Sequence, residues 1–217
     1  SSPLAICLEN INKTFGSVQA NKDVCLSVVP GTIHGIVGEN GAGKSTLVSI
    51  LYGFYSADSG TVAISGEPVR LRSSADAIAA GIGMVHQHFM LVPNFTVLEN
   101  IILGHEGGSD LKAGARQAEA SLKGITERYG LSVDLQAVVQ DLPVGLQQRV
   151  EILKALYRGA RILILDEPTG VLTPQETEQL FDILRTLKAQ GVTILLITHK
   201  LKEIMAVTDF VSVMRSG

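Results

Sequence analysis

The sequence predicts an α/β domain with a mainly parallel central sheet. Two unbroken apolar runs, at 162–165 and 192–197, are separated by an amphipathic helical stretch that begins near Pro174. Apolar strands that alternate with helices are typical of a parallel sheet covered on both faces. A glycine-rich segment at 38–45 follows a further apolar run and precedes another helical stretch. This succession of strand, glycine-rich loop and helix makes 38–45 the segment around which the domain is organised.

Composition and charge are those of an ordinary globular protein. The chain has 217 residues, of which 46% are hydrophobic and 18% are charged, and its formal net charge is −3. A strongly basic footprint is absent, so we expect no nucleic-acid partner. No apolar run approaches the ~20 residues needed to span a bilayer. Cys7 and Cys25 lie in apolar stretches without metal-ligand spacing, so we expect buried free thiols in a reducing compartment.

Short strands precede the glycine-rich loop. Apolar segments 4–8 and 24–28 flank a turn-like stretch at 13–16, and Ile33–Val37 reads as a buried strand that leads into the loop. Further on, residues 61–65 alternate like an antiparallel strand. We therefore predict an antiparallel β subdomain near the start of the chain, beside the parallel core.

A helical segment then interrupts the α/β pattern. Residues 97–103, 111–129 and 145–157 have apolar side chains at helical spacing. We predict one domain over 1–217, in which 88–158 is a helical subdomain. The rest of the domain, 1–87 and 159–217, is predicted to form the core together with its antiparallel subdomain.

The remaining predicted elements complete the core. They are helices at 46–51, 74–80, 174–190 and 201–207, and strands at 83–86 and 210–214. The last residues, 215–217, follow what looks like the first arm of a hairpin. We therefore expect the chain to be part of a longer protein.

The glycine-rich segment matches G-x-x-x-x-G-K-[ST], the phosphate-binding loop of nucleotide-binding proteins. Glycines let the backbone turn its N–H groups inward, and the following helix adds a partial positive charge. Lys44 would contact the β- and γ-phosphates, and Ser45 would bind Mg²⁺. A glycine-rich turn that matches by chance is the alternative, but the strand before it and the helix after it disfavour that reading. The predicted nucleotide-binding residues of this segment are Gly38, Glu39, Asn40, Gly41, Ala42, Gly43, Lys44, Ser45 and Thr46.

The apolar strand at 162–165 delivers two carboxylates at its end. Asp166 is positioned to hold Mg²⁺ through water, and Glu167 to polarise an attacking water molecule. An acidic pair that only caps a helix is the alternative. The phosphate-binding loop upstream favours the catalytic interpretation.

Taken in order, these motifs resemble the ATP-binding domain of ABC transporters over essentially the whole chain. The matching positions are 38–45, Gln87, 142–149, 166–169 and His199. The resemblance implies a P-loop NTPase fold of the ABC ATPase type. It also implies that Gln87 reaches Mg²⁺ and the attacking water and couples the site to membrane subunits, and that His199 contacts the γ-phosphate.

Two further positions carry the resemblance. Phe15 resembles the aromatic residue that stacks on adenine in this family, with a core phenylalanine as the alternative. Segment 142–149, Leu-Pro-Val-Gly-Leu-Gln-Gln-Arg, stands where the family signature LSGGQ is expected. Gly145 matches that signature, and Gln148 and Arg149 match the Gln-Arg that usually follows it. Pro143, Val144 and Leu146 depart from the signature. The loop at 170–173 also lacks the usual aspartate.

These departures most resemble the N-terminal half of tandem importer ATPases for simple sugars or nucleosides. The resemblance implies hydrolysis of ATP with Mg²⁺ at the cytoplasmic face of the cell membrane, where the protein would be peripheral. It implies three partners, namely a second ABC ATPase domain in the same full-length chain, transmembrane permease subunits and an extracytoplasmic solute-binding protein. In the family, Gly145 and its neighbours serve the site of the opposing domain.

Two other functions stay open at this stage. One is an ABC-type ATP switch in DNA repair or translation, which would predict a basic surface or a long coiled-coil insert; the sequence shows neither. The other is a regulatory nucleotide-binding module with little turnover, which the altered signature favours and the intact Glu167 and His199 oppose.

Overall fold

The first of two sheets is antiparallel and contains the start of the chain. The computed structural model describes residues 2–86, 88–103 and 111–217. The strands of this sheet lie in the order β2-β1-β4-β5, with every pair antiparallel. They are β1 (Ile6–Phe15), β2 (Val18–Val28), β4 (Ser59–Ile64) and β5 (Glu67–Pro68). The predicted antiparallel subdomain is therefore present.

The second sheet is parallel and forms the centre of the domain. Its strands lie in the order β6-β7-β8-β3-β9, and each neighbouring pair is parallel. They are β3 (Ile33–Val37), β6 (Ile82–Val85), β7 (Ile162–Asp166), β8 (Thr193–Thr198) and β9 (Phe210–Val213). The carboxyl ends of β3, β7 and β8 consequently meet at one edge of the sheet.

The helices connect these strands and form the helical segment. They are α1 (Lys44–Leu51), α2 (Ser74–Ala79), α3 (Val97–Ile102), α4 (Leu111–Tyr129), α5 (Val144–Tyr157), α6 (Pro174–Ala189) and α7 (Leu201–Ile204). A short 3-10 helix, Val139–Asp141, precedes α5. Both α3 and α6 begin with a capping box, in which a threonine and a glutamate bond each other's backbone N–H groups.

The parallel sheet separates two hydrophobic clusters because successive strand residues face opposite sides. Leu163 and Leu165 of β7 belong to the cluster that also contains apolar side chains of α3, α4, α5 and α6. Ile162 and Ile164 of the same strand belong to the cluster shared with the antiparallel sheet and α1. Burial on both faces explains why these strands read as unbroken apolar runs.

Some local expectations were wrong. The stretch predicted as a turn at 13–16 continues β1 through Phe15, and the hairpin turns at Gly16, whose φ is +59°. Both cysteines are free, but neither is buried, since Cys25 is exposed and Cys7 is partly exposed. They lie on strands of a sheet whose other face is solvated, so an apolar neighbourhood in sequence did not mean burial. Within the described ranges, no helix is long and apolar enough to cross a membrane.

Candidate functional site

The phosphate-binding loop lies at the carboxyl end of β3 and leads directly into α1. Gly41 and Gly43 have φ values of +88° and +95°, which residues other than glycine rarely adopt. A Cβ atom on Gly43 would lie 2.4 Å from the carbonyl oxygen of Ala20. Glycine at 43 is therefore required both by backbone conformation and by the close approach of β2.

Asn21 supports this loop from β2, and the sequence reasoning missed it. Its side chain is fully buried, and its Nδ2 donates a hydrogen bond to the carbonyl oxygen of Gly43 at 3.2 Å. Its Oδ1 is also buried and has no hydrogen-bond partner among the described residues. A polar residue at an inward position of a strand was the one signal in the sequence that could have identified it.

Lys44 carries the positive charge of the loop. The residue is buried, with 6% of its surface exposed. Its Nζ donates to the carbonyl oxygens of Gly38 and, at 3.1 Å, of Glu39. These contacts hold the ammonium group inside the curve of the loop, where backbone carbonyls offset its desolvation.

The loop opens onto a cleft of about 610 Å³. This cleft brings together most of the predicted site residues, including both carboxylates from the end of β7. Its lining includes Phe15, Glu39, Asn40, Gly41, Gly43, Lys44, Ser45, Thr46, Asp166 and Glu167. An adjoining pocket of about 480 Å³ shares 39–41 with this cleft and is lined by Gly38, Ala42 and His199.

Glu167 has an unusual backbone conformation for a residue with a side chain. Its φ is +46°, and such strained residues cost of order 1–3 kcal/mol and cluster at functional sites. The N–H group of Glu167 donates to the carbonyl oxygen of Ile197 on β8 at 2.8 Å. Its Oε1 lies 3.0 Å from Nδ1 of His199, and the Thr198 hydroxyl donates to its Oε2 at 3.4 Å. The carboxylate is therefore tied to the end of the neighbouring strand.

Asp166 lies beside this pair in a partly buried position. Burial raises the pKa of its carboxyl group, the negative charge of Glu167 raises it further, and the Lys44 ammonium opposes both effects. Burial and the charge of Glu167 both destabilise the ionised form of Asp166, so a cation bound nearby would stabilise it. Ser45 and Asp166 both line the cleft, and hydroxyl and carboxylate oxygens are ligands that suit Mg²⁺.

Phe15 lies at the rim of the cleft and is not a core residue. It is 41% exposed, and its ring packs edge-on against Tyr55 with centroids 5.1 Å apart. The Lys13 Nζ lies 5.2 Å from the centroid of the Phe15 ring. The alternative of a core phenylalanine is thus wrong, and an aromatic surface remains available at the cleft.

The two predicted site residues still to be placed are Gln87 and Gly145. Gln87 lies outside the described residues. Gly145 lies in the first turn of α5, where its N–H group donates to Oε2 of Glu176 at 2.7 Å. A Cβ on Gly145 would lie 2.4 Å from that same oxygen, so a larger residue here would displace the Glu176 carboxylate from this contact.

A second cleft, of about 320 Å³, lies where the helical segment meets β6. Its lining includes Tyr52, His86, Met90, Glu151 and Arg158. Oε1 of the buried Glu151 accepts a hydrogen bond from the Met90 N–H group at 3.1 Å, and burial raises the pKa of Glu151. The phosphate-binding loop is not part of this cleft, so we do not assign a nucleotide to it.

Comparison with known families and structures agrees with this geometry. The family model described as ABC transporter matches residues 21–170. The ADP conformation of an ATP-binding cassette of an ABC transporter superposes with a TM-score of 0.87 at 30% identity. That alignment covers 99% of this chain and 88% of the other.

Curated relatives are more similar in sequence. The glucose import ATP-binding protein TsgD13 of Haloferax volcanii is 50% identical over 97% of this chain and 43% of its own length. The nucleoside import ATP-binding protein NupA of Lactococcus lactis and the guanosine import ATP-binding protein NupO of Bacillus subtilis are each 51% identical over 96% of this chain and 41% of their own lengths. The chain thus spans about two fifths of the length of the curated relatives it matches.

Proposed function

The chain belongs to the ABC transporter ATP-binding family, and from that premise we propose that it binds and hydrolyses ATP with Mg²⁺ to drive import of a simple sugar or a nucleoside. One observation carries the proposal. The phosphate-binding loop at the end of β3 and the carboxylates of Asp166 and Glu167 at the end of β7 line one cleft. A phosphate site next to paired carboxylates suits phosphoryl transfer to water.

In this proposal the loop and Lys44 hold the phosphates, and Phe15 stacks on the base. Ser45, Asp166 and Gln87 bind Mg²⁺, which would neutralise charge on the phosphates. Glu167 orients the attacking water and accepts its proton. An ionised Glu167 can only accept hydrogen bonds, so the 3.0 Å contact requires a proton on Nδ1 of His199. In this proposal His199 steadies the base through its Nδ1–H, and its contact with the γ-phosphate requires Nε2 to carry a proton as well.

We propose the partners from the names of the relatives and from the length that the chain does not cover. A second ABC ATPase domain would occupy part of the remaining length of the full protein, which is more than half of each relative. Import further requires permease subunits and an extracytoplasmic solute-binding protein, with this domain at the cytoplasmic face of the membrane. The second cleft is lined by His86 and Met90, which lie on either side of Gln87 in sequence. Because Gln87 is the residue proposed to couple the site to the membrane subunits, we expect the permease to bind at this cleft.

A second candidate function is nucleotide binding with little turnover. It is favoured by the start of α5, where Pro143 offers no N–H group and the Gly145 N–H group is already bonded to Glu176. Measuring ATP turnover of the full-length protein separates it from the main proposal.

The main proposal is tested by titrating labelled ATP, with and without Mg²⁺, against the wild-type chain and Lys44→Ala. Hydrogen bonds to charged groups contribute ~1.5–3 kcal/mol, so we expect affinity to fall about 10- to 150-fold. Lys123→Ala, which removes an exposed charge on α4, is the matched control and should bind as wild type does. Equal affinity of Lys44→Ala and wild type would show that the loop is not the nucleotide site.

Uptake of labelled sugars and nucleosides by cells with and without the full-length gene identifies the solute. We expect one of these two classes to depend on the gene. If uptake of neither class depends on the gene, the proposed ATP hydrolysis still stands but the proposed import function is wrong.

A further inference from the structure

Gln148 of α5 contacts the chain next to Glu167, although it belongs to the helical segment. Its side chain is 3% exposed, and its Nε2 donates a hydrogen bond to the carbonyl oxygen of Pro168 at 2.7 Å. Pro168 is the residue that directly follows Glu167. Both the Gln148 amide and the Pro168 carbonyl are buried, so neither can bond to water instead. Rotation of the peptide group that contains the Pro168 carbonyl would therefore leave a buried polar group unsatisfied.

Glu167 depends on such support because its backbone is in the left-handed region, with φ at +46°. On the side of β8, its N–H group is fixed by the carbonyl oxygen of Ile197 at 2.8 Å. On the other side, the Pro168 carbonyl is fixed by Gln148. The backbone on both sides of the carboxylate is thus held by bonds that originate in different elements.

A second contact keeps Gln148 in register with this loop. The Gly145 N–H group, one turn earlier in α5, donates to Oε2 of Glu176 at the start of α6. The loop after Glu167 is therefore attached to α5 at both of its ends, through Pro168 and through Glu176. Displacement of α5 relative to the sheet would move the backbone beside Glu167.

We propose that Gln148 is a positioning residue for Glu167, so that the helical segment sets the placement of the hydrolytic carboxylate. The inference rests on the proposed role of Glu167 in ATP hydrolysis. It predicts that loss of the Gln148 donor slows the chemical step while nucleotide binding at the phosphate loop stays the same. Misplacement of a catalytic group by about 1 Å can cost up to ~100-fold in rate.

The test measures steady-state ATP hydrolysis by the full-length protein carrying Gln148→Met, which keeps the length of the side chain and removes the donor. We expect kcat to fall about 10-fold, with KM for ATP within about two-fold of wild type. Asn100→Leu is the control for destabilisation, because Asn100 is an equally buried amide that bonds Val92 and Thr96 far from Glu167 in sequence. The Asn100→Leu variant should have a lower unfolding temperature, whereas its kcat, expressed per folded protein, should equal that of wild type.

The decisive measurement repeats Gln148→Met in a Glu167→Gln background. A residue that acts through Glu167 adds little to the residual rate once the carboxylate is gone, whereas a merely structural residue lowers it by the same factor again. Gln148→Glu serves if Gln148→Met does not fold, since a carboxylate has the same size and no N–H donor. Its kcat relative to wild type should rise as pH falls, because the protonated carboxyl regains a donor.

Unchanged kcat in Gln148→Met, unchanged kcat in Gln148→Glu at the highest pH tested, or equal factors in the two backgrounds, would overturn the inference. These outcomes differ from failure of the proposed function, in which the wild-type protein itself would bind or hydrolyse no ATP.

Discussion

The starts of α1 and α5 are both helix N-termini with a glycine beside the first turn, yet they are built differently. At α1, the N-cap Gly43 has φ at +95°, Lys44 supplies a charge, and the loop faces a cleft of about 610 Å³. At α5, the N-cap is Pro143, and the Gly145 N–H group is bonded to Glu176. A helix N-terminus offers partial positive charge in both cases.

The difference shows what a phosphate site requires beyond a helix dipole. The loop before α1 has glycines that let its backbone approach a ligand, together with a buried ammonium group. The start of α5 already has an anion, since a carboxylate accepts its second N–H group, and Val144 places a branched side chain beside it. Four experiments test this contrast, from the largest expected effect to the smallest.

Glu167→Gln in the full-length protein tests the chemistry at the α1 cleft. The amide preserves the shape of the side chain but cannot accept a proton, and a general base contributes ~10²–10⁴-fold. We expect hydrolysis to fall by about that factor while ATP binding is retained. Hydrolysis is measured in single-turnover assays. Mass spectrometry excludes deamidation of the new glutamine, and a variant that inactivates the second ATP site excludes its contribution. Wild-type turnover in this variant would remove Glu167 from the role of base.

Changing the start of α5 tests whether it limits turnover. A homodimer of the isolated chain would close each cleft with the altered signature, which lacks donors at Pro143. Loss of one charge-assisted donor costs ~1.5–3 kcal/mol, so the isolated chain should hydrolyse ATP about 10- to 150-fold more slowly than the full-length protein. Pro143→Ser/Val144→Gly/Leu146→Gln should recover part of this rate. The prediction is wrong if the isolated wild-type chain turns over as fast as the full-length protein.

Phe15→Ala tests whether the α1 cleft also recognises the base. Base–aromatic stacking contributes ~1–3 kcal/mol in single-stranded nucleic-acid sites, so affinity for ATP should fall about 5- to 150-fold. Affinity for inorganic triphosphate should not change. Phe54→Ala is the matched control, because Phe54 is also exposed and packs edge-on against a tyrosine, but it lines the second cleft. Equal losses for ATP and triphosphate would point to damage of the loop and not to stacking.

Glu176→Gln tests the anion already present at α5. The amide oxygen can still cap α6, but its NH₂ group cannot accept the Gly145 N–H, so we expect a loss of ~1 kcal/mol. That corresponds to a fall of about 2–4 °C in unfolding temperature. Glu99→Gln is the control, since Glu99 occupies the same position in the capping box of α3 and bonds only its own helix start among the described contacts. Equal shifts in the two variants would mean that the contact with Gly145 contributes nothing.

Local sequence determined the elements that present the site. The predicted strand before the phosphate loop coincides with β3, the longest predicted helix coincides with α4, and Asp166 ends β7 as expected. Hydrophobic periodicity and glycine positions act over a few residues, so they can be recognised without knowing the fold. The membership of the ABC family and the α/β architecture were confirmed, whereas the roles of the site residues in ATP chemistry stay predictions.

Only the tertiary structure decided which distant residues support the site. Strand order places β8 beside β7, which brings His199 to Glu167. The packing of the antiparallel sheet against the phosphate-binding loop sets β2 against Gly43, which brings in Asn21. The bonds from Gln148 to Pro168 and from Gly145 to Glu176 join α5 to the loop after β7. Each joins residues 20 or more positions apart, and contacts of that kind depend on how whole elements pack. Periodicity and propensity describe one element at a time and carry no information about that packing.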